Sequence, residues 1–326
     1  MSQGQKFFHL QKLKFKDDRF TTYPMPSALS FIPFLFKMSR PAQLLLLALV
    51  YVFESVIALT IGISCSLIAF AAGLLAFIPT CASIHFANEY ADFETDSLTE
   101  RTPYSGGSGA LPVSGLPRRT ALAAAWASLL LASIVALFGW KSGVLPLAAL
   151  AVLALGAVFG WMYSLPPLAL AWHGWGEVTN ALLGGVLVPA YAYAVQAGMV
   201  SREIILASLP FGLLVFNNLL ATQWPDRSAD AAVGKRTLVT RWSSRRLRWL
   251  YLAVAVLAYI SLLCLKGSVF PSLVVWCSFL AIPVVLWGGF EFTRQRSPFS
   301  SVCAMVLLLV VQTAAWGATF ILFIPS

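Results

Sequence analysis

Charge is what this sequence lacks most. Only 11% of its 326 residues are Asp, Glu, Lys or Arg, against 59% hydrophobic ones, and the mean hydropathy is +0.80. A soluble domain carries about a quarter charged residues, so the deficit excludes an ordinary water-soluble fold and identifies a polytopic membrane protein in contact with the lipid bilayer. Acidic residues are scarcer than basic ones, 13 against 22, which leaves a net charge of +9. In a soluble chain that balance would suggest nucleic acid. In a membrane chain it answers anionic headgroups and the retention of Lys and Arg on the inner side, and no nucleic-acid partner is expected. The five cysteines, Cys65, Cys81, Cys264, Cys277 and Cys303, all lie inside apolar runs with no CxxC pair or neighbouring histidine. They read as small core hydrophobes, which excludes a disulfide framework and a zinc site.

Long apolar runs are what the sequence does have. A membrane span needs about 20 apolar residues, and candidates fall at 42–63, 66–88, 119–139, 143–163, 175–196, 203–223, 247–265, 270–290 and 302–324. The expected fold is therefore all-α, a bundle of about nine transmembrane helices. The first run begins near Pro41, too far in for an ordinary signal peptide. Residues 1–36 form a basic N-terminal segment whose "KFFHLQKLKFKDDRF" suits either a surface-lying helix or a disordered arm. Residues 37–326 form a single transmembrane domain. Prolines 103, 112 and 117 with glycines 106, 107, 109 and 115 mark a long non-helical loop after the second span, and "YSLPP" (163–167) breaks the chain after the fourth.

Orientation follows from the basic residues. With the N-terminus inside, the outside loops hold only Lys141, Arg202 and Lys266, and every other Lys and Arg lies inside. The expected location is the cell (inner) membrane. In this topology two acidic segments, "NEYADFETD" (88–96) and "PDRSAD" (225–230), fall at the inner ends of the second and sixth spans. Together with Glu100 they hold seven of the thirteen acidic residues: Glu89, Asp92, Glu94, Asp96, Glu100, Asp226 and Asp230. Acids at such positions are a functional hypothesis by default.

Helical residues four apart are turned by about 40°, so Asn88, Asp92 and Asp96 share one face, while Glu89 and Glu94 point elsewhere. Like charges on one face repel unless a cation sits between them. Magnesium suits the arrangement, because it takes one or two carboxylates and completes its shell with water and phosphate oxygens. Two such faces, Asp92/Asp96 and Asp226/Asp230, would hold two Mg²⁺ ions with a diphosphate between them, and Arg101, Lys235 and Arg236 would neutralise the remaining phosphate charge. The plain alternative is a solvated helix end balancing the basic loops.

These segments carry a resemblance. "NEYADFETD" is similar to the N-x-x-x-D-x-x-x-D signature of the UbiA superfamily of intramembrane prenyltransferases, and "PDRSADAAVGKRTL" resembles that family's second aspartate motif. "SRP" (39–41), "TPYSGGSGALPVSGL" and "YSLPP" also look like family features, and the glycine-rich loop with "WPD…D…GKRTL" most resembles the menaquinone branch. One departure is that Thr222 stands where an Asn or Asp usually opens the second motif, with Asn218 and Gln223 as the nearby amides. The resemblance implies a Mg²⁺-dependent transferase that alkylates an aromatic acceptor, 1,4-dihydroxy-2-naphthoate in that branch, from a polyprenyl diphosphate. Asn88, Asp92, Asp96, Asp226 and Asp230 would be catalytic, and the four aspartates would be the metal ligands. Other acceptors, such as 4-hydroxybenzoate, a haem or chlorophyll precursor or a glycerol-phosphate lipid, stay open, because the aspartates read only the diphosphate.

Other residues have two readings each. Tyr163 is a diphosphate donor or an interfacial anchor. Glu177 orients a substrate or pairs with a basic loop residue. Glu54, mid-span, is expected to be protonated or hydrogen-bonded inside the bundle, and His85 to be a packed polar residue. From another class, a secondary transporter with a carboxylate cation site would set its acids near the midplane, where only Glu54 lies.

Overall fold

The computed structural model describes residues 28–323; of the basic N-terminal segment read over residues 1–36, residues 1–27 lie outside them. From Phe34 onward the chain forms one compact unit. Among the described residues nine helices are long and apolar enough to cross a membrane: Pro41–Thr60, Leu67–Ala91, Arg119–Lys141, Leu147–Ser164, Gly176–Ala197, Arg202–Gln223, Ser244–Cys264, Ser272–Glu291 and Phe299–Leu322. They are the nine expected spans, and the chain is a multi-pass membrane protein. The seventh begins earlier than its hydropathy suggests because the Ser243 hydroxyl caps it, accepting from the Arg246 N–H, so its arginine-rich first turn is helical.

In lipid, apolar surface gives no reason for helices to associate, so close packing of small residues must bring them together. The third span shows this. Its buried face is Ala121, Ala125, Ala132, Ala136 and Gly139, which lets the second span approach along its length, while Trp126, Leu130, Ile134, Leu137 and Phe138 are exposed. The sixth span is the most enclosed, with 61% of its apolar window buried. It meets the fifth where backbone faces backbone. A Cβ at Gly185 would collide with the Cα of Gly212, so only glycine allows this crossing. Gly185 sits in a π turn, Leu183–Leu187, that interrupts the fifth span.

The aspartates of both acidic segments come where a long helix stops. The second span ends at Ala91 and a short helix, Phe93–Leu98, follows. The bonds from Asp92 N to Asn88 O and from Asp96 N to Asp92 O, both 2.8 Å, carry the helical spacing across the junction. The sixth span ends more sharply. Pro225 cannot donate to a helix, the chain turns over Trp224–Asp226, and Asp226 leads a separate helix, Arg227–Ala232. Asn218 and Thr222 thus belong to the span and Asp226 and Asp230 to the element after it. The Asp226–Asp230 spacing stays helical, with Asp230 N donating to the Asp226 carbonyl at 2.9 Å.

The Gly185–Gly212 contact generates a prediction. Gly185→Val forces the fifth and sixth spans apart and is expected to destabilise the protein by about 1–3 kcal/mol, the usual cost of overpacking. Thermal unfolding in detergent reads this, and an unchanged midpoint would contradict the close approach.

Candidate active site

The two acidic segments, far apart in sequence, meet on one cavity of about 370 Å³. Its polar rim includes Asn88, Asp92, Asp96, Tyr163, Asp226, Asp230 and Lys235, and its apolar wall includes Phe77, Leu153, Leu187 and Tyr191. Phe77 lies fifteen residues before Asp92 on the second span, so at 1.5 Å per residue the cavity follows that helix for about 22 Å. Phe77 and Tyr191 stack at 5.5 Å between centroids, and Tyr51 stacks in turn on Phe77 at 5.8 Å. The Tyr191 hydroxyl is pinned to the Gly73 carbonyl at 2.8 Å.

At the centre of the rim stands a lysine. The Lys235 ammonium lies 3.2 Å from Asp92 Oδ1 and 3.5 Å from Asp230 Oδ1, so one cation joins the two motifs. Burial alone would lower the lysine's pKa, but Asp92 and Asp230 outweigh it and hold the group firmly charged. Trp172 offers its ring 5.6 Å from the same ammonium. The Asn88 amide nitrogen donates to Asp92 Oδ2 at 2.8 Å and to the Ser164 hydroxyl at 2.9 Å, fixing the first aspartate's orientation.

Arg40 and Glu89 support this arrangement from below. Glu89, 1% exposed, accepts from Arg40 Nε and Nη2 at 2.9 and 2.7 Å and from the Ser108 N–H and hydroxyl at 2.8 and 2.5 Å. A buried carboxylate is tolerable when paired and fully hydrogen-bonded in this way. Arg40 Nη2 also donates to Asn88 Oδ1 at 2.7 Å. To do so it takes a left-handed backbone conformation, φ 56°, rare for a non-glycine residue and a sign of a surrounding structure that over-determines it.

The glycine-rich loop closes the rim. The Gly106 N–H donates to Asp226 Oδ2 at 3.0 Å. Gly107, at φ +61°, leaves room for the Asp96 carboxylate where a Cβ would otherwise stand. Arg101 braces the loop by donating to the Gly106 and Gly107 carbonyls at 3.0 and 2.8 Å.

Burial first, and the neighbouring carboxylates after it, raise the proton affinity of three of these aspartates. Burial, then the neighbouring Asp92 charge, pushes Asp96 up to about 8. Burial pushes Asp226 up to about 6, against the Gly106 N–H that favours its charged form. Asp230 is raised by burial and opposed by Lys235.

The sequence-derived candidates therefore divide. Asn88, the four aspartates, Tyr163 and Lys235 come together on the cavity. Arg101 and Arg236 do not line it: both are exposed, the first spent on the loop and the second offering its backbone N–H to the Trp172 carbonyl at 3.0 Å. Glu177 makes no ion pair with a basic side chain among the described residues, and one of its oxygens is left without a hydrogen-bond partner. It is buried and accepts the Leu238 N–H at 2.7 Å, anchoring the segment after Lys235. Glu54 is fully buried with neither oxygen hydrogen-bonded. His85 Nδ1 meets the Ser39 carbonyl at 2.7 Å, the packed polar role expected of it. Arg40 was missed as a site residue; its signal was a basic residue just before a helix-starting proline, opposite an acid-rich helix end. Of the amides near the second motif, Asn218 and Gln223 line the cavity and keep buried side-chain oxygens without partners. Thr222 lines it too but spends its hydroxyl on the Leu219 carbonyl at 3.1 Å.

Fold and site together define a multi-pass membrane protein with a cavity charged at one end and apolar along its length. The chain matches the UbiA prenyltransferase family over residues 44–311. It belongs to that family and is a prenyltransferase. It is 25% identical over 242 residues to the 1,4-dihydroxy-2-naphthoate octaprenyltransferase of Bacillus subtilis (strain 168), covering 71% of this chain and 74% of that one. Among solved structures, a UbiA homolog from Archaeoglobus fulgidus bound to GPP and Mg²⁺ superposes with a TM-score of 0.65 at 20% identity, covering 88% of this chain and 99% of that one. A digeranylgeranylglyceryl phosphate synthase does so with 0.63 at 14% identity, covering 90% and 99%.

The raised carboxylate affinities have a consequence for stability. An aspartate whose folded pKa lies above its unfolded value, near 3.8, adds stability that is fully present below that value and lost as pH rises through the folded pKa. The metal-free protein is therefore expected to lose thermal stability as pH rises from about 4 to about 8, the span of the raised Asp226 and Asp96 values, and to change little above it, with Asp96→Asn flattening the upper part of the profile. A wild-type midpoint independent of pH over this window would count against the crowded, buried carboxylates.

Proposed function

We propose that this protein transfers a polyprenyl group from a polyprenyl diphosphate to an aromatic acceptor, with 1,4-dihydroxy-2-naphthoate as that acceptor in menaquinone biosynthesis. The observation that carries the reading is the meeting of Asp92 and Asp96 with Asp226 and Asp230 at the mouth of one long apolar cavity. The Bacillus relative's name supplies the acceptor, and the structural neighbour's bound ligands are a prenyl diphosphate and Mg²⁺.

The donor set fits magnesium. It consists of carboxylate and amide oxygens, the hard ligands this ion prefers, and two of them, Asp226 Oδ1 and Asn218 Oδ1, are buried on the cavity without a hydrogen-bond partner. Asp92, Asp96, Asp226 and Asp230 would hold the ion. When bound, Mg²⁺ stabilises negative charge on the departing pyrophosphate. The chain's own groups complete the task. Lys235 and the Tyr163 hydroxyl face the same volume and donate to diphosphate oxygens, where charge develops in the transition state. Asn88, held by Arg40 and Ser164, keeps Asp92 oriented. The apolar wall receives the isoprenoid tail and excludes water from the cation-like allylic carbon until the electron-rich ring attacks. The exposed Arg101 and Arg236 lie off this cavity, so their part in neutralising the diphosphate is through the long-range field alone. The distribution of Lys and Arg supports a cell-membrane protein whose cavity opens on the cytoplasmic side.

Asp92→Ala and Asp226→Ala are each expected to abolish Mg²⁺-dependent transfer from geranylgeranyl diphosphate, read by product mass, while the purified protein stays monodisperse. Turnover retained in both variants would remove the metal role. Asn218→Ala is expected to weaken Mg²⁺ by about 10–100-fold, the range for groups that support metal ligands, and Thr222→Val to leave it close to wild type. The reverse order would assign the second motif's polar partner to Thr222.

A further inference from the structure

Lys235 occupies the space between the two aspartate motifs, and this has a thermodynamic consequence for the metal reading on which it rests. Its ammonium is within 3.5 Å of carboxylates from both. Among the described residues, no three His, Cys, Asp or Glu side chains are already gathered closely enough to hold one ion. The acids are spaced around a lysine, not around a preformed metal site. A divalent ion entering between Asp92 and Asp230 would meet a fixed positive charge in a low-dielectric setting, where like charges repel strongly.

The surroundings allow the ammonium to move. Lys235 follows Gly234, whose φ of +84° and open surroundings place few constraints on the turn. Its backbone is held at both sides, by Lys235 N donating to the Asp230 carbonyl at 2.9 Å and by the Thr240 hydroxyl donating to the Lys235 carbonyl at 3.1 Å. The mobile part is therefore the four-carbon stem, which carries three rotatable donors. Tyr163 lines the cavity with Lys235, and the Trp172 ring lies 5.6 Å from the same ammonium, so groups other than the two aspartates are within its reach.

We propose that Lys235 is a resident counter-ion of the metal-free site, displaced from Asp92 and Asp230 when a divalent ion binds and taken up by the diphosphate that arrives with it. Metal and diphosphate binding are then coupled. Without an anion to receive the ammonium, the metal must compete with it; with the anion present, it need not. Reciprocity requires each ligand to raise the other's affinity by the same factor. The lysine also keeps the four acids from repelling one another while the enzyme waits for substrate. It is a positioning residue for the metal as well as a donor to the substrate.

The test is a Mn²⁺ titration followed by electron paramagnetic resonance, on the purified full-length protein in detergent, with and without inorganic pyrophosphate. The variants are Lys235→Met, which removes the charge, and Lys235→Arg, which keeps it. Lys235→Met is expected to bind Mn²⁺ about tenfold more tightly than wild type without pyrophosphate, within the 5- to 150-fold range typical of coupled sites. Pyrophosphate should then enhance its metal affinity less than it does in wild type, while Lys235→Arg stays near wild type. A monodisperse Lys235→Met that binds Mn²⁺ no better than wild type without pyrophosphate would overturn the proposal and leave the lysine a structural counter-ion. Should Lys235→Met fail to fold, Lys235→Gln under the same titration decides between the same two outcomes. Absence of Mn²⁺ binding in wild type and variants alike, with pyrophosphate present, would instead remove the metal reading itself and the inference with it.

Discussion

Buried carboxylates repel one another, and every unusual feature around the cavity deals with that repulsion. Four aspartates and Glu89 converge on a region of few charges, where burial penalises each anion and proximity penalises them jointly. Lys235 bridges two of them, Arg40 takes Glu89 and reaches Asp92 through Asn88, and the Gly106 N–H serves Asp226. What remains uncompensated appears as raised proton affinity at Asp96 and Asp226. A cluster this costly persists when it is held together by structure and used by a ligand.

The rest of the fold serves that cluster. The second and sixth spans must each end at the same level, which Asp92's break and Pro225's missing N–H achieve by different means. The fifth and sixth must lie close enough for the cavity to keep its width, which the Gly185–Gly212 crossing secures. The loop after the second span is not a passive connection. Glu89 accepts from Ser108, Asp96 lies against Gly107 and Asp226 accepts from Gly106, so three consecutive loop residues touch both motifs. Its positive-φ glycines are what allow a backbone to pass so near three carboxylates.

Much of this was legible in the sequence because membrane proteins write their fold in hydropathy. All nine spans follow from apolar length, and the pairing of Asp92/Asp96 with Asp226/Asp230 follows from their placement at equivalent helix ends. What sequence could not give was which cations answer which anions. Arg101, Lys235 and Arg236 looked equivalent as basic residues near the motifs, yet only Lys235 turns into the cavity, because the Arg101 guanidinium satisfies loop carbonyls and Arg236 is exposed. Arg40 was hidden by distance in sequence and by a backbone conformation that no local pattern announces. Glu177, read as orienting a substrate or pairing with a basic loop residue, accepts the Leu238 backbone N–H. Hydrogen-bond partners depend on the packing of remote segments, which periodicity does not encode.

The central claim is that the two acidic segments hold one divalent-metal–diphosphate headgroup between them. It is tested most directly by anomalous diffraction from crystals of this protein grown with Mn²⁺ and an unreactive prenyl diphosphate analogue. The account expects Mn²⁺ peaks inside the cavity, with ligands drawn from both Asp92/Asp96 and Asp226/Asp230 and the analogue's phosphates between them. Peaks outside the cavity, or confined to one motif with the other still paired to Lys235, would contradict it.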